Sequence, residues 1–155
     1  MLVDDDTDLL GALRDALDDE YEIVTCSSGE EAVRRLELVK TKVTKLDAVI
    51  CDMRMPGLQG TDVLKEVIKC NELMPRILLT GFTDLEAAKA AVNEGRIHHY
   101  ESKPVEMTTL KQVLSKELAL YEERKAIAED AKLKNKALDL AERAIRSIPV
   151  PRDKK

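Results

Sequence analysis

The first 105 residues alternate between short apolar runs and amphipathic stretches, and few folds are open to a chain patterned that way. The runs are Leu2-Val3, Tyr21–Cys26, Ala48–Cys51, Ile77–Leu79 and Ile97–Tyr100. Between them lie helical faces made of Leu9, Leu10, Leu13 and Leu17, then Ala32, Val33 and Leu36, then Val63, Leu64, Val67 and Ile68, then Leu85, Ala88 and Val92. Ser28-Gly29-Glu30-Glu31 and Thr83-Asp84-Leu85-Glu86 fit the capping box, in which a hydroxyl and a carboxylate satisfy the free N–H groups at a helix start. Gly95 stands where a helix should stop. Five strands alternating with helices predict a parallel sheet covered on both faces.

Polarity orders the strands. Ala48–Cys51 and Ile77–Leu79 are wholly apolar, as central strands should be, whereas Tyr21–Cys26 holds Glu22 and Thr25 and Ile97–Tyr100 holds His98 and His99. The order 2-1-3-4-5 puts those two at the edges, which makes the expected fold a flavodoxin-like, doubly wound five-stranded parallel sheet.

After Pro104 the pattern changes. Residues 106–148 hold no Pro and no Gly, which predicts one long helix capped by Thr108 or Thr109. Steps of three and four link Leu110, Val113, Glu117, Leu120, Arg124, Ile127, Ala131, Lys134, Leu138, Ala141, Ile145 and Ile148; nine of the twelve are apolar, which favours a self-associating coiled-coil seam over a helix that only protrudes. Leu114, Leu118 and Tyr121 form a second face suited to packing on the sheet. The expected division is a domain over 1–120, a helical extension over 121–148 and a loose tail over 149–155.

Charge and composition narrow the function classes. The net charge is −5, with 13 Lys+Arg against 21 Asp+Glu in residues 1–105 and 12 against 9 in residues 106–155. An acidic body excludes a broad nucleic-acid surface, and the mixed-sign helix reads as a solvated face. No apolar run approaches the roughly 18 residues that a membrane span needs. The start lacks the basic region and long apolar run of a secretory signal. Three cysteines without close spacing (Cys26, Cys51, Cys70) read as reduced thiols, and the expected compartment is the cytoplasm.

Four polar features stand at strand ends: Asp4-Asp5-Asp6, Asp52, Thr80 and Lys103-Pro104. In a parallel sheet these ends meet on one rim. Clustered carboxylates repel one another unless a cation sits among them, and hard oxygen ligands with room for water suit Mg²⁺, with Mn²⁺ able to substitute. Asp52 can then act as a carboxylate nucleophile toward a phosphoryl group, while Thr80 donates a hydroxyl hydrogen bond and Lys103 neutralises an oxygen. Singly, an acidic turn, a Thr after a strand or a Lys before Pro is ordinary; the ordered set of four is not.

Val3-Asp4-Asp5-Asp6, Cys51-Asp52-Met53-Arg54-Met55-Pro56-Gly57, Leu79-Thr80-Gly81 and Ser102-Lys103-Pro104 resemble the signature motifs of two-component receiver domains over about residues 2–120. The resemblance implies that Asp52 is the phosphoacceptor for a sensor histidine kinase or phosphotransfer protein. It implies that Asp5 binds Mg²⁺ directly, Asp4 mainly through water, and the Arg54 backbone carbonyl supplies another ligand. It further implies that Lys103 binds the phosphoryl group, that Lys103-Pro104 is cis, and that Thr80 and Tyr100 act as switch residues altering the surface of helix 4, strand 5 and helix 5. By the same resemblance, Arg54 and Phe82 are expected to flank the entrance and tune water access. A weaker similarity, over Leu79–Asp84, Ala91–Ile97 and Tyr100–Pro104, is to receivers preceding cyclic-dinucleotide phosphodiesterase or transcription-activator modules, although Val105 stands where a tryptophan is expected. An output domain is expected to be missing from this chain, which then reads as an excised fragment.

Two departures and two competing functions complete the reading. Only three residues precede Asp4, a short first strand that suggests trimming or missing residues, and the segment near Lys40–Lys45 is about five residues longer than the family pattern. His98 and His99 face opposite ways on a strand and are read as structural, not as a metal or relay site. A haloacid-dehalogenase-type phosphohydrolase needs Asp-x-Asp-x-Thr/Val, which Asp4-Asp5-Asp6-Thr7-Asp8 fails at its last place. A non-phosphorylated interaction module, with the long helix as its working part, is the other alternative.

Overall fold

A computed structural model describes residues 1–94 and 96–147, apart from the Phe82 side chain. The element order is β1 (Leu2–Val3), α1 (Thr7–Leu17), β2 (Thr25–Cys26), α2 (Gly29–Lys40), β3 (Val49–Asp52), α3 (Gly60–Cys70), β4 (Arg76–Thr80), a 3₁₀ turn (Phe82–Asp84), α4 (Leu85–Asn93), β5 (His99–Ser102) and α5 (Met107–Arg146). The sheet is parallel throughout, in the order β2-β1-β3-β4-β5. The expected flavodoxin-like architecture is therefore present, and the long C-terminal helix with it.

Period-two alternation sorts the strand side chains into two separate cores. Val3, Val49, Cys51 and Leu78 face α2, α3 and α4, packing with Leu36, Val63, Val67 and Ala88. Leu2, Ile50, Ile77 and Leu79 face α1 and α5, packing with Leu10, Leu13, Leu17, Leu110 and Leu114. Leu13, Leu36, Ile77 and Leu110 are essentially inaccessible, and burial of such a side chain contributes roughly 1.5–3 kcal/mol. The core thus holds β3 and β4 from both sides and fixes where their carboxyl ends emerge.

Several expected boundaries move. Only Thr25 and Cys26 of the second run pair as a strand, since Tyr21 and Ile23 pack on the α1 side without entering the ladder. The fifth strand begins two residues late, because Ile97 turns into the core first and Ile77 pairs with His99. Ser28 caps α2 as expected, with its Oγ accepting from Glu31 N at 3.2 Å, but the Glu31 carboxylate returns to Ser27 N at 2.9 Å. The box at Thr83 does not form: the residue before α4 is Asp84, whose side chain caps nothing. The start of α5 is capped by Glu106, not by Thr108 or Thr109, whose N–H groups donate to its carboxylate at 3.0 and 2.6 Å. The expected helix stop at Gly95, the helix residue Ile148 and the tail 149–155 lie outside the described residues.

The chain divides into two compact units, Met1–Tyr121 and Glu122–Lys155. In the first, Leu110 and Leu114 are buried in a core, as is the Tyr121 side chain, whose hydroxyl accepts from Asn71 Nδ2 at 2.9 Å. Leu110, Val113 and the buried Glu117 therefore belong to the domain, not to the expected seam. In the second, every residue from Ala126 to Ser147 is exposed, including Ile127, Leu138 and Ile145 on the seam and Leu133 and Leu140 off it. Ion pairs Lys134–Asp130 and Arg143–Asp139 span successive turns there.

Candidate functional site

The carboxyl ends of β1, β3 and β5 bring Asp4, Asp5, Asp52 and Lys103 to one place, and Thr80 ends β4 on the same side of the sheet. Asp4 follows β1 and is 1% exposed; Asp52 ends β3 and is 5% exposed; Thr80 ends β4 and is fully buried. Carboxylate oxygens of Asp4, Asp5 and Asp52 all lie within 4.8 Å of one another, with Asp5 facing solvent. Lys103, just past β5, bridges the two buried acids, with Nζ 2.7 Å from Asp4 Oδ2 and 3.0 Å from Asp52 Oδ1. The Lys103–Pro104 peptide bond is cis.

Electrostatics follow from this crowding. Burial pushes the Asp52 carboxyl above the ordinary carboxylate range; the hydrogen bond from Lys103 works against that, and the neighbouring Asp4 charge adds to it. A hydrogen bond from the Arg54 main chain also favours the ionised form. Burial disfavours the Lys103 charge, but its hydrogen bonds and charge interactions with Asp4 and Asp52 prevail and raise its pKa. Asp4 has both oxygens engaged, by Lys103 and by the Asp6 N–H at 2.9 Å. Asp6 is turned away as the cap of α1, accepting from Asp8 N and Leu9 N.

Other expected residues are nearby but not joined to this set. The Thr80 hydroxyl donates to Gly81 O at 3.2 Å and lies 3.5 Å from Met53 Sδ. Tyr100 is half-buried on the α4 side of the sheet, stacked on His99. His98 accepts the Arg76 N–H while His99 bonds Glu101, so the two rings take separate partners.

The structure also shows contacts that the motifs did not predict. Arg54 grips Asp84 with two hydrogen bonds, Nε–Oδ2 at 3.0 Å and Nη2–Oδ1 at 2.6 Å. Glu30 on α2 accepts the Leu58 N–H at 2.9 Å and braces the loop after β3, while Gln59 Nε2 donates to Met55 O at 2.7 Å across the same loop. Gly57 takes a positive φ of 74° there. Gly60 lies so close beneath Asp52 that an added Cβ would stand 1.9 Å from the Asp52 carbonyl oxygen. A glycine opening a helical pattern eight residues after a strand-end acid was the only trace of that contact in the sequence.

The donor set suits a hard divalent cation: three oxygen ligands gathered at one point, two of them buried and already drawing in an ammonium group. No helix among the described residues is long and apolar enough to cross a membrane.

Comparison with known proteins agrees with this geometry. The sequence pattern described as the response regulator receiver domain matches residues 1–115. The hydrogenase transcriptional regulatory protein HoxA of Cupriavidus necator is 42% identical over 104 residues, which are 67% of this chain and 20% of that protein. The chain thus spans about a fifth of that relative's length. The crystal structure of an adenylate cyclase from Rhodopirellula baltica superposes with a TM-score of 0.77 at 35% identity, covering 84% of this chain and 94% of the other. A response regulator receiver domain protein from Clostridium thermocellum gives 0.67 at 35% identity, covering 81% and 94%.

Proposed function

Because this chain belongs to the response regulator receiver domain family, we propose that it accepts a phosphoryl group on Asp52 from the phosphohistidine of a sensor histidine kinase or phosphotransfer protein. The convergence of Asp4, Asp5, Asp52 and Lys103 on one point carries the reading. An Asp52 Oδ atom forms the new O–P bond as the N–P bond breaks, and the departing imidazole nitrogen keeps the electron pair and takes up a proton. Asp5, Asp52 and the Arg54 carbonyl would hold Mg²⁺, with Asp4 acting through water. Its chemistry there is to offset phosphoryl negative charge. Asp4 supports that division of labour, since both its oxygens already have partners and Asp5 is the acid open to solvent. Lys103 leaves its carboxylate partners in part to neutralise a phosphoryl oxygen, and Thr80 exchanges its bond to Gly81 O for one to the same group. Tyr100 moves inward, and the α4–β5–α5 surface changes shape for a reader, which the HoxA similarity suggests is a transcription-activating module. The chain serves signalling and turns over no substrate besides its own acyl phosphate.

Residues 121–148 are proposed to pair two copies through Ile127, Ala131, Leu138, Ala141 and Ile145, a seam whose polar positions are Arg124 and Lys134. Incubation with acetyl phosphate and Mg²⁺, followed by intact-mass measurement, tests the central claim. The wild-type chain gains one phosphoryl group and Asp52→Ala gains none; an unmodified wild type refutes it. Sedimentation across a wide concentration range, with and without a phosphoryl mimic, tests the pairing, and a monomer throughout refutes that part.

A further inference from the structure

Asp84 stands immediately before α4, where an aspartate ordinarily has extended backbone and accepts an N–H of the first turn. Here its φ is −110° and its ψ is 7°, and no N–H of α4 reaches its side chain. Its own N–H closes the 3₁₀ turn onto Gly81 O at 3.1 Å. Both carboxylate oxygens are instead held by Arg54 in a two-pronged pair, the stronger form of an Arg–carboxylate contact. The Asp84 side chain is 11% exposed and that of Arg54 is 72% exposed. Arg54 lies two residues beyond Asp52, on the loop that rims the acid cluster, and Asp84 lies four beyond Thr80.

We propose that Asp84 is a positioning residue with two mutually exclusive partners: it parks the Arg54 guanidinium away from Asp52, and it caps α4 once Arg54 has left. The states exclude each other because capping needs extended backbone at Asp84, which the 3₁₀ turn does not allow. The proposal rests on phosphorylation of Asp52. A phosphoryl dianion there offers Arg54 three strong acceptor oxygens and more charge than one carboxylate. Asp84, freed, has the N–H groups of Glu86 and Ala87 beside it, at the positive end of the helix dipole. One exchange of hydrogen-bond partners thereby carries the event at Asp52 to α4.

Amide hydrogen exchange of residues 85–88 in the full chain tests this without requiring phosphorylation. Arg54→Ala, unphosphorylated, exchanges these amides about fivefold more slowly than wild type, the scale of one added cap. Asp84→Asn, which keeps a capping oxygen but loses the ionic pair, shows the same slowing. Asp84→Ala and the double variant Arg54→Ala/Asp84→Ala show none. An ordinary surface ion pair gives the opposite pattern, with Arg54→Ala unchanged or faster, and that result overturns the proposal. Wild type carrying a phosphoryl group by mass also slows, and Asp52→Ala treated identically does not; a phosphorylated chain with unchanged exchange overturns the coupling. A wild type that gains no mass refutes the function proposed above, and the Arg54→Ala comparison then decides the Asp84 exchange separately.

Discussion

Replacing Lys103 by Met keeps the aliphatic stem but removes the charge between two buried acids. At an effective dielectric constant of about 20, separations of 2.7 and 3.0 Å correspond to gross attractions of about 6 and 5.5 kcal/mol. Desolvation of the ammonium and ordering of its stem offset most of that, and breaking a buried pair typically costs about 3–5 kcal/mol. The Lys103 side chain is 26% exposed, so solvent screening puts the expected loss at about 2–3 kcal/mol at pH 7. Urea unfolding with chelator present measures it. The sign with pH follows from Asp52, whose folded pKa is already raised by burial. Such a group stabilises the fold most when protonated, below its unfolded pKa, and that contribution disappears as pH rises through the folded value. Without Lys103 the carboxyl rises further, so the deficit of Lys103→Met shrinks on acidification and is full at neutral pH. Added Mg²⁺ also narrows it. A deficit below about 0.5 kcal/mol, or one indifferent to pH, would refute the claim that the ammonium offsets the crowding of the acids.

Three other outcomes follow from single contacts. Gly60→Ala pushes a methyl into the Asp52 carbonyl and costs about 2–3 kcal/mol in chemical denaturation, as overpacking does; a neutral substitution would mean that α3 shifts freely. Lys42 holds a left-handed φ of 60° where Val43 N–H returns to Leu38 O at 2.9 Å to close α2. Lys42→Gly therefore raises stability by about 0.5–1 kcal/mol in the same assay, and a loss would refute that account. Hydrogen bonds from the Thr109 hydroxyl and the Thr108 and Thr109 N–H groups hold Glu106 at about 2. Its contribution to stability is complete above the ordinary Glu value and is lost as pH falls through about 2. NMR titration of its carboxyl reads the midpoint directly, and a midpoint in the ordinary range removes the cap.

The sheet order was legible because Ala48–Cys51 and Ile77–Leu79 carry no polar residue while the edge runs Tyr21–Cys26 and Ile97–Tyr100 do. The meeting of Asp4, Asp52 and Lys103 was legible for the same reason, since parallel strands emerge on one side. The strand limits were not, because Tyr21 and Ile97 bury apolar surface without pairing, and burial rather than pairing shapes the pattern. Glu106 displaced the threonines as the cap because hydroxyl and carboxylate compete within two residues, and the chain's entry into α5 decides between them. The pair Arg54–Asp84 depends on two loops folding toward each other, which no periodicity encodes.

The contact between Gly60 and Asp52 settles which parts can rearrange. With the start of α3 seated against its peptide group and β4 paired alongside it, Asp52 is held in place at the level of its backbone. Adjustment to an incoming ligand therefore falls on flexible side chains around it, and natural variation in response speed should accumulate in that surrounding ring while the anchor stays constant.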